Sequence, residues 1–80
     1  MSEIDLNKIA REYIIARRNA LGISQVELAE MVFGSKTAKG HLSLIESGKK
    51  DITLNTLEKI LTKLNANIVF VDDNLTLFQK

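Results

Sequence analysis

Three glycines divide the first part of the chain into short segments whose apolar residues recur at helical spacing. Gly22, Gly34 and Gly48 each follow one such segment. Glycine commonly follows the end of an α-helix, because it adopts the left-handed backbone conformation without strain. The pattern predicts a single, mostly helical domain, since 80 residues leave no room for a second core.

The first two helices are predicted from their capping residues and their apolar spacing. Asp5 is the expected N-cap of a helix over about 5–21. Ser24 opens the second helix, Glu27 three residues later completes a capping box, and Gly34 ends the helix. The inner face of the first helix is predicted to consist of Leu6, Ile9, Ala10, Tyr13, Ile14 and Leu21.

Two further helices are predicted in the same way. Ser35 or Thr37 is expected to cap a third helix over about 38–46, and Thr53 a fourth over about 54–64. Side chains of these helices and of the second are expected to form the core, among them Leu28, Ala29, Leu42, Ile45, Leu57 and Ile60.

After the fourth helix the apolar spacing changes. Residues 67–71 are predicted to form a strand, because the four residues after Asn67 are β-branched or aromatic, and residues 72–74 are typical of a turn. A weaker strand is predicted over 75–78. The chain is therefore expected to consist of a helical domain over 1–66 and a C-terminal strand or hairpin over 67–80.

The predicted strand is apolar on both faces, so both need to be covered. A hairpin alone is only marginally stable. We therefore expect a homodimer in which the strand pairs with its copy through Ile68, Val69, Phe70 and Val71. The alternative is a hairpin that lies on the helices of its own chain.

The composition argues against several classes of protein. The chain has no cysteine and one histidine, His41, so neither a thiolate metal site nor a nucleophile–base pair is expected. No enzyme activity, metal or cofactor is predicted. Apolar runs such as 13–16 are too short to span a membrane, and the acidic N-terminus lacks the apolar stretch of a secretory signal. These features predict a cytoplasmic protein.

Positive charge is concentrated in one stretch of the chain. Residues 36–50 contain four lysines and one acidic residue, Glu46, a net charge of +3, whereas the whole chain carries only +1. A basic patch in an otherwise nearly neutral chain indicates an interaction with nucleic acid.

The motifs around this patch are similar to those of a known class of DNA-binding domains. Ile23–Ala29 (ISQVELA), followed by Leu42–Lys50 (LSLIESGKK), resembles the Cro/repressor class of helix-turn-helix domains. Thr53–Leu64 resembles the helix that follows in the same class, and the resemblance covers about 14–71. It implies a λ-repressor-like fold of four helices and a transcription repressor that binds double-stranded DNA.

The C-terminal part is similar to a narrower group, the HipB antitoxins. The similarity lies in Lys50–Leu57 (KDITLNTL) and in the β-type run that ends at Asp72. It implies a dimeric repressor that binds an inverted-repeat operator and has a HipA-like kinase toxin as its partner. A phage or stress-response repressor without a toxin, and a protein–protein adaptor that does not bind DNA, remain alternatives.

The resemblance also implies roles for individual residues. It implies an ion pair between Arg18 and Glu46 that ties the first helix to the third. The segment between Ser24 and Glu46 is about three residues longer than in the class, which leaves the register of base contacts open. The residues implied to contact DNA are Gln25, Lys36, Thr37, Lys39, Gly40, His41, Ser43, Leu44, Lys49, Lys50, Thr53 and Asn55.

Overall fold

The fold is an arrangement of short helices, described for residues 4–68 in a computed structural model. The described part confirms the mostly helical prediction with four α-helices. Between the second and third α-helices lies one turn of 3₁₀ helix, Lys36–Ala38. The α-helices are α1 (Leu6–Ala20), α2 (Gln25–Phe33), α3 (Lys39–Glu46) and α4 (Leu54–Lys63).

Three of the predicted N-caps are present, and each satisfies a backbone N–H that has no partner inside its helix. The Asp5 carboxylate accepts a hydrogen bond from the Lys8 N–H at 3.0 Å. The Thr53 hydroxyl accepts one from the Thr56 N–H at 3.2 Å. At α2 the capping box is complete, because the Ser24 hydroxyl accepts from the Glu27 N–H at 3.1 Å while the Glu27 carboxylate accepts from the Ser24 N–H at 2.9 Å.

The capping box makes the contribution of Glu27 depend on pH. The hydrogen bond from the Ser24 backbone N–H lowers the pKa of Glu27, and the Ser24 hydroxyl adds to this effect. Because the folded-state pKa lies below the unfolded value of about 4.3, the stabilisation is present above that pH and is lost as pH falls through the folded-state pKa.

Substituting Ser24 tests this assignment. We expect Ser24→Ala to raise the pKa of Glu27 part of the way towards its ordinary value, because the hydroxyl is removed while the backbone N–H remains. An NMR titration of the Glu27 side-chain carboxyl measures the change. Ser47→Ala, at an exposed serine after α3, is the control and should leave the titration unchanged. A Glu27 titration that is the same in Ser24→Ala and in the native chain would contradict the assignment.

The start of the third helix differs from the prediction. Ser35 caps the 3₁₀ turn instead, where its hydroxyl accepts from the Thr37 N–H at 3.2 Å. The α-helix begins at Lys39, and its N-cap, Ala38, makes no side-chain capping bond. The additional residues between α2 and α3 thus form a separate 3₁₀ turn, and Gly34 before it adopts a φ of 76° that suits glycine.

The core lies where all four helices meet. The buried cluster at its centre consists of Ile14, Leu28, Ala29, Leu42, Ile60 and Leu64. The predicted inner face of α1 is largely wrong, because Ile14 is its only buried member whereas Leu6, Ile9, Tyr13 and Leu21 are exposed. The described part of the chain has too few elements to cover the whole apolar face of α1.

Two polar contacts connect α1 to the region of α4. The Asn7 side-chain oxygen accepts a hydrogen bond from the Ile52 N–H at 2.7 Å, in the loop that precedes α4. The Arg17 guanidinium donates to the Leu64 carbonyl at 3.2 Å, at the end of α4. Each contact joins residues at least 45 positions apart, so these bonds set the position of α1 against α4.

The predicted C-terminal strand is not seen among residues 4–68. Asn65 follows α4 with a φ of 56°, and Asn67 and Ile68 belong to neither helix nor strand. The rest of the predicted hairpin, including Val69, Phe70 and Val71, lies outside the described residues. None of the helices in the described range is both long and apolar enough to cross a lipid bilayer.

Candidate nucleic-acid interface

The outer face of α3 is open to solvent in the described part of the chain. Leu42, Ile45 and Glu46 point inward and are buried. The opposite side of the helix carries side chains at i, i+3, i+4 and i+7 spacing, which places them on one face. This outer face consists of Gly40, Ser43, Leu44 and Ser47. An exposed helical face of this kind can enter the major groove of DNA.

Leu44 lies in the middle of the outer face and keeps 44% of its surface exposed. An apolar side chain at such a position can contact the methyl group of thymine. Ser43 is half-buried beside it, whereas Gly40 leaves the start of the face without a side chain. The structure therefore brings together three of the residues that were predicted to contact DNA.

Glu46 holds the inner side of α3 through a network of hydrogen bonds. Its carboxylate accepts hydrogen bonds from Arg18 Nε and Arg18 Nη2, each at 2.9 Å, in a bidentate ion pair. Only 6% of the Glu46 side chain and 12% of the Arg18 side chain are exposed. Arg18 also donates to the Ile23 carbonyl at 3.0 Å, in the loop before α2. One guanidinium thus joins α1, the α1–α2 loop and α3.

Gln25 belongs to the same network. Its Nε2 donates to Glu46 Oε1 at 2.9 Å, which fixes the amide at the first position of α2. The Gln25 side chain is half-buried, and its bond to Glu46 uses only one of the two hydrogens on Nε2. The second hydrogen can donate to a phosphate. The sequence did not predict that this residue supports Glu46, although its position at the start of α2 agrees with a phosphate contact.

The four lysines of residues 36–50 are all exposed. Lys36 lies in the 3₁₀ turn and Lys39 begins α3, whereas Lys49 and Lys50 follow α3. Since Glu46 is buried and neutralised by Arg18, the exposed charge of this stretch is that of the four lysines. The net charge counted from the sequence therefore underestimates the positive surface around α3.

Two residues near the start of α3 are partly engaged within the protein. The His41 ring stacks on the Phe33 ring of α2 with 4.8 Å between the ring centroids. The Thr37 hydroxyl is 2.6 Å from the Ser35 hydroxyl. His41 is thus a partly packed histidine that connects α3 to α2, and both residues have a structural role whether or not they contact DNA.

Arg11 of α1 places a positive charge beside the loop after α3, and the sequence analysis did not predict this. Arg11 of α1 lies so close to Gly48 that a Cβ atom at residue 48 would be 3.1 Å from Arg11 Cζ. Its guanidinium therefore lies at the loop that leads to Lys49 and Lys50. The signal was present in the sequence, since Arg11 precedes Arg18 by two helical turns and shares its face of α1.

Thr53 and Asn55, at the start of α4, complete the predicted set. Both are exposed. The Thr53 hydroxyl caps α4 and lies 3.0 Å from the Thr56 hydroxyl, whereas the Asn55 side chain makes no hydrogen bond to the described residues. Within residues 4–68 no three acidic or histidine side chains are grouped so that they could hold a metal ion.

Gly40 offers a test of the geometry at the start of α3. No heavy atom outside its own helix lies within 4 Å of the position that a Cβ would take, and its φ is not positive. We expect Gly40→Ala to raise the free energy of unfolding by about 0.5–1 kcal/mol in urea denaturation, because alanine loses less backbone entropy in a helix. Gly34→Ala is the matched control and should destabilise by about 1–2 kcal/mol, because its φ of 76° strains any residue with a Cβ. A less stable Gly40→Ala protein would show that α3 begins differently.

Comparison with known proteins places this arrangement in a family. A family model described as helix-turn-helix matches residues 14–71. The matched range contains the end of α1, α2, the 3₁₀ turn, α3 and α4. Searches among curated proteins and among solved structures gave no match. Since the matched range covers well over half of the 80 residues, the chain belongs to the helix-turn-helix family of DNA-binding transcription regulators.

Proposed function

We propose that this protein is a cytoplasmic transcription repressor that binds an inverted-repeat operator as a homodimer and has no enzyme activity. In this proposal α3 of each subunit enters the major groove, and the two helices lie about 34 Å apart, one turn of DNA. The observation that carries the proposal is the open outer face of α3, at Gly40, Ser43 and Leu44, with four exposed lysines around it.

The lysines and the helix face have different tasks in this proposal. Lys36, Lys39, Lys49 and Lys50 bind phosphates, which provides affinity and orientation without sequence preference. Side chains on the outer face of α3 contact base edges and provide the preference for one sequence. Arg11 adds a further positive charge at the loop after α3.

Selection from a pool of random duplex DNA tests the proposal. We expect the protein to enrich an inverted repeat whose half-sites are about 10 base pairs apart, centre to centre. A pool without enrichment, from protein whose helical content is native, would contradict sequence-specific binding. It would favour an adaptor that uses the same fold for protein contacts.

Leu44→Glu tests whether the outer face of α3 is the surface that meets DNA. A carboxylate placed against phosphates costs several kcal/mol across an interface, so we expect the affinity for the selected duplex to fall at least about 100-fold. Fluorescence anisotropy measures the affinity. Lys59→Gln, on the exposed side of α4, changes the net charge by the same amount and serves as the control. Equal losses in both variants would mean that net charge, and not the face of α3, controls binding.

We further propose that the protein is the antitoxin of a HipA-like kinase and represses its own operon. This part is supported only by the similarity of Lys50–Leu57, and of the apolar run after it, to the HipB antitoxins. The neighbouring reading frame is the decisive observation. If it encodes a kinase of this type, the two purified chains should form a complex of defined mass in light scattering. A neighbouring frame without a kinase would favour a phage or stress-response repressor.

A further inference from the structure

The loop between α3 and α4, residues 47–53, is fixed on α1 near both of its ends. Near its start, the Arg11 guanidinium packs against Gly48. Near its end, the Ile52 N–H donates to the Asn7 side-chain oxygen at 2.7 Å. Asn7 and Arg11 are four residues apart and therefore share a face of α1. Two contacts with one helix face thus hold the loop in a defined position beside α1.

The two lysines of this loop use their backbone amides within the protein. The N–H groups of Lys49 and Lys50 both donate to the Leu44 carbonyl, at 3.0 and 3.2 Å. An anion beside these residues would therefore be bound by side chains and not by their amides. Both lysine side chains are exposed, so their ammonium groups are available to it.

The Arg11 guanidinium lies with one face against Gly48. A Cβ atom at residue 48 would be 3.1 Å from Arg11 Cζ, 3.2 Å from Nε and 3.5 Å from Nη1. Because the central carbon is nearer than either nitrogen, this position faces the plane of the group and not its edge. The donors of a guanidinium point outwards in its plane. Packing of one face on Gly48 consequently leaves the edge of the group free to bind a ligand.

The donors of Arg11 have no partner within the described part of the chain. Among residues 4–68 the guanidinium makes no hydrogen bond, and the only ion pair joins Arg18 to Glu46. No buried side-chain nitrogen in this range lacks a partner, so the nitrogens of Arg11 must reach solvent. Asp51, the acidic residue of the loop, is exposed and makes no ion pair with Arg11. Arg11 is thus a half-buried cation whose charge is not neutralised by these residues.

We propose that Arg11 binds a phosphate of the DNA backbone at the loop that carries Lys49 and Lys50, an inference that rests on the proposed function. Three positive groups and one acidic group at one loop repel each other on balance, and a bound phosphate offsets this repulsion. A guanidinium can donate two parallel hydrogen bonds to a phosphate. Since packing on Gly48 already restricts its side chain, Arg11 loses less conformational entropy on binding than an exposed lysine does.

Arg11→Gln tests the inference through the salt dependence of binding to the selected duplex. The variant removes the charge and keeps a good helix former. In the proposed dimer it removes two phosphate contacts. We therefore expect the affinity to fall at least about tenfold and the slope of log binding constant against log salt to decrease by about 2, both measured by fluorescence anisotropy. Lys59→Gln removes the same charge from the exposed side of α4 and should leave the slope nearly unchanged.

Duplexes with one neutral methylphosphonate at a time separate a direct contact from an altered loop. We expect one position in each half-site where the replacement weakens binding of the native protein at least about fivefold but that of Arg11→Gln less than about twofold, because the variant lacks the partner. Equal effects on both proteins at every position, or a native salt slope in Arg11→Gln, would overturn the inference and leave the proposed repressor function standing. A native protein that selects no duplex would overturn both.

Discussion

DNA affinity is expected to fall by about 10³–10⁵-fold when the salt concentration rises from about 50 to 200 mM. The chain exposes four lysines around α3, so the proposed dimer would offer up to eight cationic contacts to phosphates. Every phosphate that a lysine neutralises releases counterions, and the logarithm of the binding constant falls by about 0.9 per contact for each decade of salt. Fluorescence anisotropy with a duplex of about 30 base pairs, long enough for two half-sites, measures the slope.

Lys49→Ala assigns part of this slope to the loop after α3. Because each subunit of a dimer would lose one contact, we expect the slope to decrease by about 2 and binding to weaken on all sequences alike. Lys59→Ala, on α4 and outside residues 36–50, is the matched control and should leave the slope nearly unchanged. A native protein whose affinity hardly depends on salt would exclude phosphate binding by these lysines, and with it the proposed interface.

Glu46→Ala is expected to lower the free energy of unfolding by about 3–5 kcal/mol. The substitution removes the acceptor of two hydrogen bonds from Arg18 and one from Gln25. The Arg18 guanidinium then stays largely buried, with the Ile23 carbonyl and the exposed Asn19 side chain as its remaining partners among the described residues. A domain of this size is stabilised by only about 4–12 kcal/mol in total, so a large part of its stability would be lost.

Two further variants separate the loss of the ion pair from a general effect of substitution. Glu58→Ala, at an exposed position of α4, should change the free energy of unfolding by less than about 0.5 kcal/mol. Arg18→Met combined with Glu46→Leu removes both charges and should recover most of the loss, since a well-packed apolar pair can replace a buried ion pair. Urea denaturation measures all three. If Glu46→Ala were as stable as Glu58→Ala, the pair would not hold α3 in place.

The local features of the fold were predictable from the sequence. Asp5, Ser24 and Thr53 cap their helices as expected, and Gly34 adopts the left-handed conformation at the end of α2. These features depend on hydrogen bonds and steric contacts between residues at most four positions apart. The inward side of α3 was also predictable, because the helical period alone separates Leu42 and Ile45 from the outer face.

The features that were missed or wrongly predicted depend on contacts between residues that are far apart in the sequence. Gln25 and Glu46 are 21 positions apart, and Arg11 reaches a loop 37 positions further along the chain. Apolar spacing on α1 predicts which side chains share a face, but it cannot show whether another element is present to cover that face. That is why the spacing correctly placed Ile14 in the core and wrongly placed Leu6 and Ile9 there.

Amino-acid order was therefore enough to predict a short-helix domain with a basic segment around its third helix, because capping and helical period act between near neighbours. The helix-turn-helix type was implied by the resemblance of two motifs to the Cro/repressor class. Packing between the helices then settled three matters. It buried the one acidic group of the basic segment against Arg18, left the outer face of α3 open, and opened a groove along α1. Burial depends on which distant segments meet in space, and no local pattern contains that information.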